Sequence, residues 1–164
     1  MEMEFRQAWE ILVQQILDRR RRGYKIVFTN GCFDIFHAGH VGLLKFCDDV
    51  YGLRTSGLVV VGVNSDESIR RLKGNSRPIN KFKDRITVLQ SCRYVWQTVG
   101  FDEDTPDCLI REIKPDTIVK GSEYKNKYVA GAEFIATYGG QVELYDMLPD
   151  VSTSLITERI KDGC

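Results

Sequence analysis

The sequence predicts an α/β protein whose five-stranded parallel sheet carries helices on both faces. Two observations predict it. Short runs rich in β-branched residues alternate along the whole chain with segments of helical apolar spacing, the order that βαβ crossovers produce. The 164 residues, 43% apolar and 28% charged, suit one domain with a packed core. No internal repeat or low-complexity stretch interrupts this pattern.

Taken in order, the elements begin with residues 5–22, where Phe5, Trp9, Leu12, Val13, Ile16 and Leu17 fall at helical spacing until Gly23 ends the pattern. Strands are expected at 25–29, 58–63, 95–99, 117–120 and 142–145. Helices are expected between them at 40–51, 67–72, 82–92, 106–113 and 129–138, with a last one at 154–161. The chain divides on this reading into a leader helix, 1–23, and one domain, 24–164.

Composition excludes several functions. Lys plus Arg equals Asp plus Glu at 23 each, so broad electrostatic attachment to nucleic acid or anionic lipid is not expected. The run Arg19 to Arg22 suits the negative end of a helix dipole and otherwise faces water. No apolar run reaches the ~20 residues of a membrane span, and the acidic start has no signal-peptide core. The five cysteines form no CxxC pair, which fits reduced thiols and a cytoplasmic location.

Ligands of an open parallel sheet bind beyond the carboxyl ends of its strands. Three segments in such positions carry unusual chemistry. After the first strand come Asn30, Gly31, Cys32, Phe33, Asp34, Ile35, Phe36, His37, Ala38, Gly39 and His40, which include both histidines of the chain. Gly31 allows backbone to approach a ligand, and a helix start near His40 offers free N–H groups to phosphate. His37 and His40, three apart, project to one side, with Gly39 leaving room for a nucleotide between them. Three uses stay open: donors to one phosphate, structural histidines at a helix start, or a metal site with Cys32 that would need a fourth ligand.

The second segment runs from Arg70 to Pro78 and includes Lys73 and Arg77. It reads as a mobile phosphate clamp, because two polyanionic substrates need cations to bring them together; a solvated surface loop is the alternative. In the third, Gly121 permits close approach, Glu123 can accept from a hydroxyl and Tyr124 offers an apolar face. Ser152, Thr153 and Ser154 precede the last helix as plain caps or as a triphosphate site.

The stretch Thr29 to His40 resembles the HxGH signature of the cytidylyltransferase-like nucleotidyltransferases, whose fold is Rossmann-like. Within that family residues 63–66, 71–78 (RLKGNSRP), 101–106 (FDEDTP), 114–116 (KPD), 120–124 and 152–154 are similar, in order, to the branch that adenylylates D-glycero-β-D-manno-heptose 1-phosphate. Val151 stands directly before Ser152, where glycerol-phosphate enzymes usually carry an Arg. The chain departs from the pattern at Ser122, in place of a second Gly, at Glu123, in place of Asp, and in a longer 52–56 stretch.

The resemblance implies that His37 and His40 contact the nucleotide phosphates in the transition state and that Lys73 and Arg77 grip phosphates. It further implies that Asn30, Gly31, Cys32, Phe33, Asp34 and Gly39 line the nucleotide site, that Gly121 and Glu123 border base and ribose, and that Ser152, Thr153 and Ser154 bind the triphosphate. The first and fourth strands are expected as neighbours. The implied substrates are ATP or another NTP with its Mg2+, and a sugar phosphate supplied by a separate sugar kinase; no resident metal is expected, and a homo-oligomer is common among relatives. Rival readings are a cytidylyltransferase for glycerol 3-phosphate or another polyol phosphate, an enzyme pairing ATP with phosphopantetheine or FMN, and a non-catalytic nucleotide-binding regulatory module.

Overall fold

The computed structural model describes residues 2–51, 57–146 and 151–163; the longer 52–56 stretch lies outside them. In chain order the elements are α1 (Glu2–Arg21), β1 (Lys25–Gly31), α2 (Ala38–Tyr51), β2 (Gly57–Asn64), α3 (Asp66–Lys73), α4 (Phe82–Gln90), β3 (Gln97–Phe101), α5 (Asp107–Ile113), β4 (Thr117–Gly121), α6 (Ala132–Ala136), β5 (Gln141–Tyr145) and α7 (Thr153–Lys161). All five strands are parallel, in the order β3-β2-β1-β4-β5. This is the Rossmann-like α/β sheet expected from the sequence. Strand order reverses between β1 and β4, so the crevice of the sheet opens there.

Most element ends move by one to three residues from expectation, and two elements differ in a way the structure explains. Strand β3 starts at Gln97 rather than residue 95, because the Val95 amide closes a turn onto the Cys92 carbonyl at 3.0 Å. Helix α6 spans only Ala132–Ala136, since Gly131 ahead of it has φ at 78° and the Thr137, Tyr138 and Gly139 amides close tight turns onto the Phe134, Ile135 and Ala136 carbonyls.

All eight residues of β2 are buried, as a strand covered on both faces requires. Side chains of β1 alternate between two cores. Ile26 and Phe28 join Val60, Ile118, Ile110 and the α1 residues Val13 and Ile16 on one face. Val27 joins Val59, Val61, Val119, Leu44 and Leu89 on the other. Each such side chain contributes roughly 1.5–3 kcal/mol when fully buried. Helix α1 is thus packed into the same core as the sheet, and its last turn is fastened by Arg20, which donates to Asp116 Oδ2 at 2.9 Å. Asp116 also accepts from Lys25 Nζ at 3.0 Å and from the Ile26 amide at 2.9 Å. Among the described residues no helix is long and apolar enough to cross a membrane.

Candidate active site

A cavity of about 430 Å³ opens at the carboxyl ends of β1 and β4. Its floor is Thr29, Asn30 and Gly31 at the end of β1, continuing into Cys32 and Phe33. Phe33 is buried with φ at 48°, so the chain turns sharply where it leaves the sheet and enters the HxGH segment. Such backbone outliers in non-glycine residues cluster at functional sites.

Helix α2 begins at Ala38, and the His40 amide donates to the His37 carbonyl at 2.9 Å. The two imidazoles stack with centroids 3.8 Å apart and planes 20° from parallel. No nucleotide fits between them. A Cβ on Gly39 would lie 3.1 Å from the His37 ring and 3.5 Å from the Val151 carbonyl, so the glycine makes room for that ring and for the approach to α7. This corrects the expectation that Gly39 holds open a nucleotide gap.

His40 lines the cavity, with Phe33 and Phe36 at centroid distances of 4.9 and 5.7 Å. Burial above all, with the charges of His37 and Lys73, pulls the His40 pKa down to about 3. His37 is lowered by burial as well and does not line the cavity. Both rings are therefore neutral at pH 7, each able to donate one N–H. Among the described residues, their Nδ1 atoms are buried without a hydrogen-bond partner. Among the described residues no three or more His, Cys, Asp or Glu side chains group to hold a metal, so Cys32, His37 and His40 form no such cluster.

The β4 wall carries the first residue of the 120–124 stretch, to which sequence reasoning gave no role. Lys120, 6% exposed, donates from Nζ to Asn30 Oδ1 at 2.6 Å and stands 4.8 Å from the Tyr124 ring centroid. Burial lowers its pKa to about 8, against the raising influence of Glu123 and Cys32. Among the described residues no carboxylate lies in hydrogen-bond range of this buried ammonium, which favours an anion beside it. The available signal was a lysine inside an otherwise apolar strand. Gly121 and Glu123 line the cavity too; the Glu123 carboxylate folds over Gly121 and occupies the space a Cβ there would need.

The opposite wall is Asn64, Leu72, Lys73 and Asp104. Lys73, the last residue of α3, is exposed and enters no ion pair among the described residues. Arg77 lies elsewhere: its Nη1 donates to Asp34 Oδ2 at 2.7 Å. Asp34, 5% exposed, also accepts from the Ile79 and Asn80 amides at 2.8 and 2.9 Å. Asp34 and Arg77 thus engage each other, fasten residues 77–80 to the end of β1, and leave the cavity lining to their neighbours.

Arg85, also absent from the sequence reading, is the buried hub behind these loops. It donates to the carbonyls of Cys32 at 2.6 Å, Asn64 at 2.8 Å and Asn80 at 3.1 Å, and to Asp66 Oδ1 at 2.8 Å. One guanidinium so ties the ends of β1 and β2 to the starts of α3 and α4, using the fork of donors that lysine lacks.

Ser152 caps α7, its hydroxyl accepting from the Leu155 amide at 3.2 Å. Thr153 Oγ1 lies 3.5 Å from the Ile35 carbonyl and Ser154 is exposed. None of the three lines the cavity. They bring the start of α7 beside Gly39, so two helix N-termini converge near the HxGH segment, a setting that attracts phosphate.

A crevice between β1 and β4 with two helix N-termini and two lysines beside it defines a nucleotide-handling protein. The cytidylyltransferase-like family model matches residues 28–159, and the chain belongs to that family of nucleotidyltransferases. It is 49% identical over 151 residues to the bifunctional protein HldE of Alcanivorax borkumensis, which covers 92% of this chain and 31% of that protein. The corresponding protein of Syntrophotalea carbinolica is 47% identical over 143 residues, 87% of this chain and 28% of that one. The chain therefore spans less than a third of the length of these relatives. The crystal structure of the lipopolysaccharide core biosynthesis protein from Thermoplasma volcanium is similar at a TM-score of 0.57 and 25% identity, covering 76% of this chain and 96% of that one.

Proposed function

We propose that the protein transfers AMP from ATP to D-glycero-β-D-manno-heptose 1-phosphate, giving ADP-heptose and pyrophosphate. The observation that carries a transferase reading is the pair of amines, Lys73 and Lys120, on opposite walls of one cavity that His40 also lines. The heptose acceptor is supported by the ordered stretches 63–66, 71–78, 101–106 and 120–124, and by likeness to the HldE proteins over most of this chain.

The acceptor phosphate oxygen attacks the α-phosphorus in line, the new P–O bond forming as the bond to the β-phosphate oxygen breaks. A phosphate monoester is already ionised at neutral pH, so positioning and charge stabilisation carry the reaction without a base or a covalent intermediate. On this reading Lys73 and Lys120 offset the repulsion between the substrates. His37 and His40 donate N–H groups to the phosphates at the start of α2, and Ser152 to Ser154 present the start of α7 to the pyrophosphate. The nucleoside lies against Gly121, Glu123 and Tyr124.

Within the cavity lining, carboxylates occur singly, Glu123 on one wall and Asp104 on the other, which suits a Mg2+ carried by substrate phosphates rather than by a protein cage. When bound, that ion neutralises the leaving pyrophosphate. The proposal further includes a cytoplasmic location and a sugar kinase activity that supplies the acceptor.

The test is pyrophosphate release across the four NTPs and a panel of sugar and polyol phosphates. ATP with the heptose phosphate is expected to exceed CTP with glycerol 3-phosphate in kcat/KM. Preference for CTP and a polyol would replace the acceptor assignment; nucleotide-dependent thermal stabilisation with no turnover of any pair would favour a regulatory module.

A further inference from the structure

Two carboxylates, Glu123 and Asp104, line a cavity that on the proposed reading receives phosphates. A carboxylate repels phosphate, so in that setting it serves neutral donors, of which substrate hydroxyls are the obvious ones. Glu123 lies on the β4 wall with Gly121 and Tyr124, the wall suited to a nucleoside. Asp104 lies across from it, with Leu72 and Lys73. A cation and a hydroxyl acceptor side by side match a molecule that carries one phosphate and several hydroxyls.

The 102–104 loop is built to hold Asp104 still. The Ser65 amide donates to the Phe101 carbonyl at 2.8 Å, and the Ser68 hydroxyl to the Glu103 carbonyl at 3.0 Å. Arg71 donates from Nε to Asp104 Oδ1 at 2.9 Å and from Nη2 to the Asp102 carbonyl. Asp104 Oδ2 has no protein partner among the described residues. The Arg71–Asp104 pair is roughly half exposed on both sides, at 46% and 59%, and pairs so exposed add little stability. One helix, α3, thus delivers Lys73 to the cavity and, two residues earlier, the arginine that orients Asp104.

We infer that Asp104, oriented by Arg71, accepts a hydrogen bond from a hydroxyl of the acceptor sugar and so selects sugar phosphates that carry that hydroxyl. This inference rests on the sugar phosphate reading above. It makes Asp104 a specificity residue and Arg71 its positioning residue.

The experiment compares the intact wild-type chain with Asp104→Ala and Asp104→Asn on heptose 1-phosphate and a series of deoxy sugar 1-phosphates, each lacking one hydroxyl. Wild type is expected to lose ~10 to 10² in kcat/KM when the recognised hydroxyl is absent, because a site built to hydrogen-bond a group rejects the analogue without it. Asp104→Ala should make the same loss on the complete sugar and no longer discriminate at that one position. Its KM for ATP and its melting temperature should stay unchanged, and Asp104→Asn, which keeps a neutral acceptor, should recover part of the selectivity. Wild-type discrimination retained at every position in Asp104→Ala, or an equal loss toward ATP, overturns the inference while leaving the sugar phosphate reading in place. A wild-type enzyme that turns over no sugar phosphate removes both.

Discussion

Arg77 and Asp34, 43 positions apart, form a 2.7 Å ion pair whose side chains are only 16% and 5% exposed. The pair makes residues 77–80 part of the structure rather than a free clamp. Arg77→Ala leaves a buried carboxylate with backbone donors alone and is expected to cost about 1–3 kcal/mol. Lys73→Ala, at an exposed helix end, should leave the urea midpoint unchanged while lowering kcat/KM. Equal midpoints for the two variants would contradict the distinction.

His37→Ala and His40→Ala are each expected to lower kcat by ~10² to 10³ with smaller effects on nucleotide Kd, since each removes a donor aimed at charge that develops in the transition state. Single-turnover rates with saturating ATP decide it; near-normal rates in either folded variant remove the histidines from the chemistry.

The sheet was legible because a period of two and a period near 3.6 alternate along the chain, and the crevice followed from strand order. Asn30, Gly31, Cys32, Phe33, His40, Lys73, Gly121 and Glu123 do meet around one cavity. What was not legible depends on pairings distant in sequence. Nothing local says that Arg85 reaches Cys32, 53 residues away, or that Lys120 reaches Asn30 across 90. The arginine of a loop sequence rich in Gly and Pro reads as part of a mobile phosphate clamp until Asp34 is seen behind it. Ser152 showed the reverse: its side chain does what a serine before a helix ordinarily does.

Lys120 supplies a pH signature. Its pKa falls from 10.5 to about 8 in the folded protein, so the ammonium needed for phosphate is lost as pH rises through 8. The kcat/KM profile, which reports the free enzyme, is expected to decline above pH 8. Lys120→Arg, charged throughout, should lack that limb, even at a reduced rate. A wild-type profile flat to pH 9.5 would exclude the role.

His40 predicts acid sensitivity. Its pKa is about 3 when folded against 6.5 ordinarily, so below pH 6.5 the unfolded chain takes up a proton that the folded site resists. The stability associated with the neutral ring is present above 6.5 and is lost progressively as pH falls toward 3. Between pH 6.5 and 4 the denaturation midpoint of wild type should drop more steeply than that of His40→Gln; parallel curves would show that another group governs the loss.

The bond from Lys120 to Asn30 also bears on how the chain reaches its working form. Strand β1 can meet β2 early, but β4 arrives only after a further long stretch has been made and ordered, and closing so long a loop is entropically unfavourable until the β1–β4 ladder compensates. The crevice is consequently among the last features to exist during folding. A nascent chain still short of β4 has its HxGH segment but lacks the wall that Lys120, Gly121 and Glu123 supply.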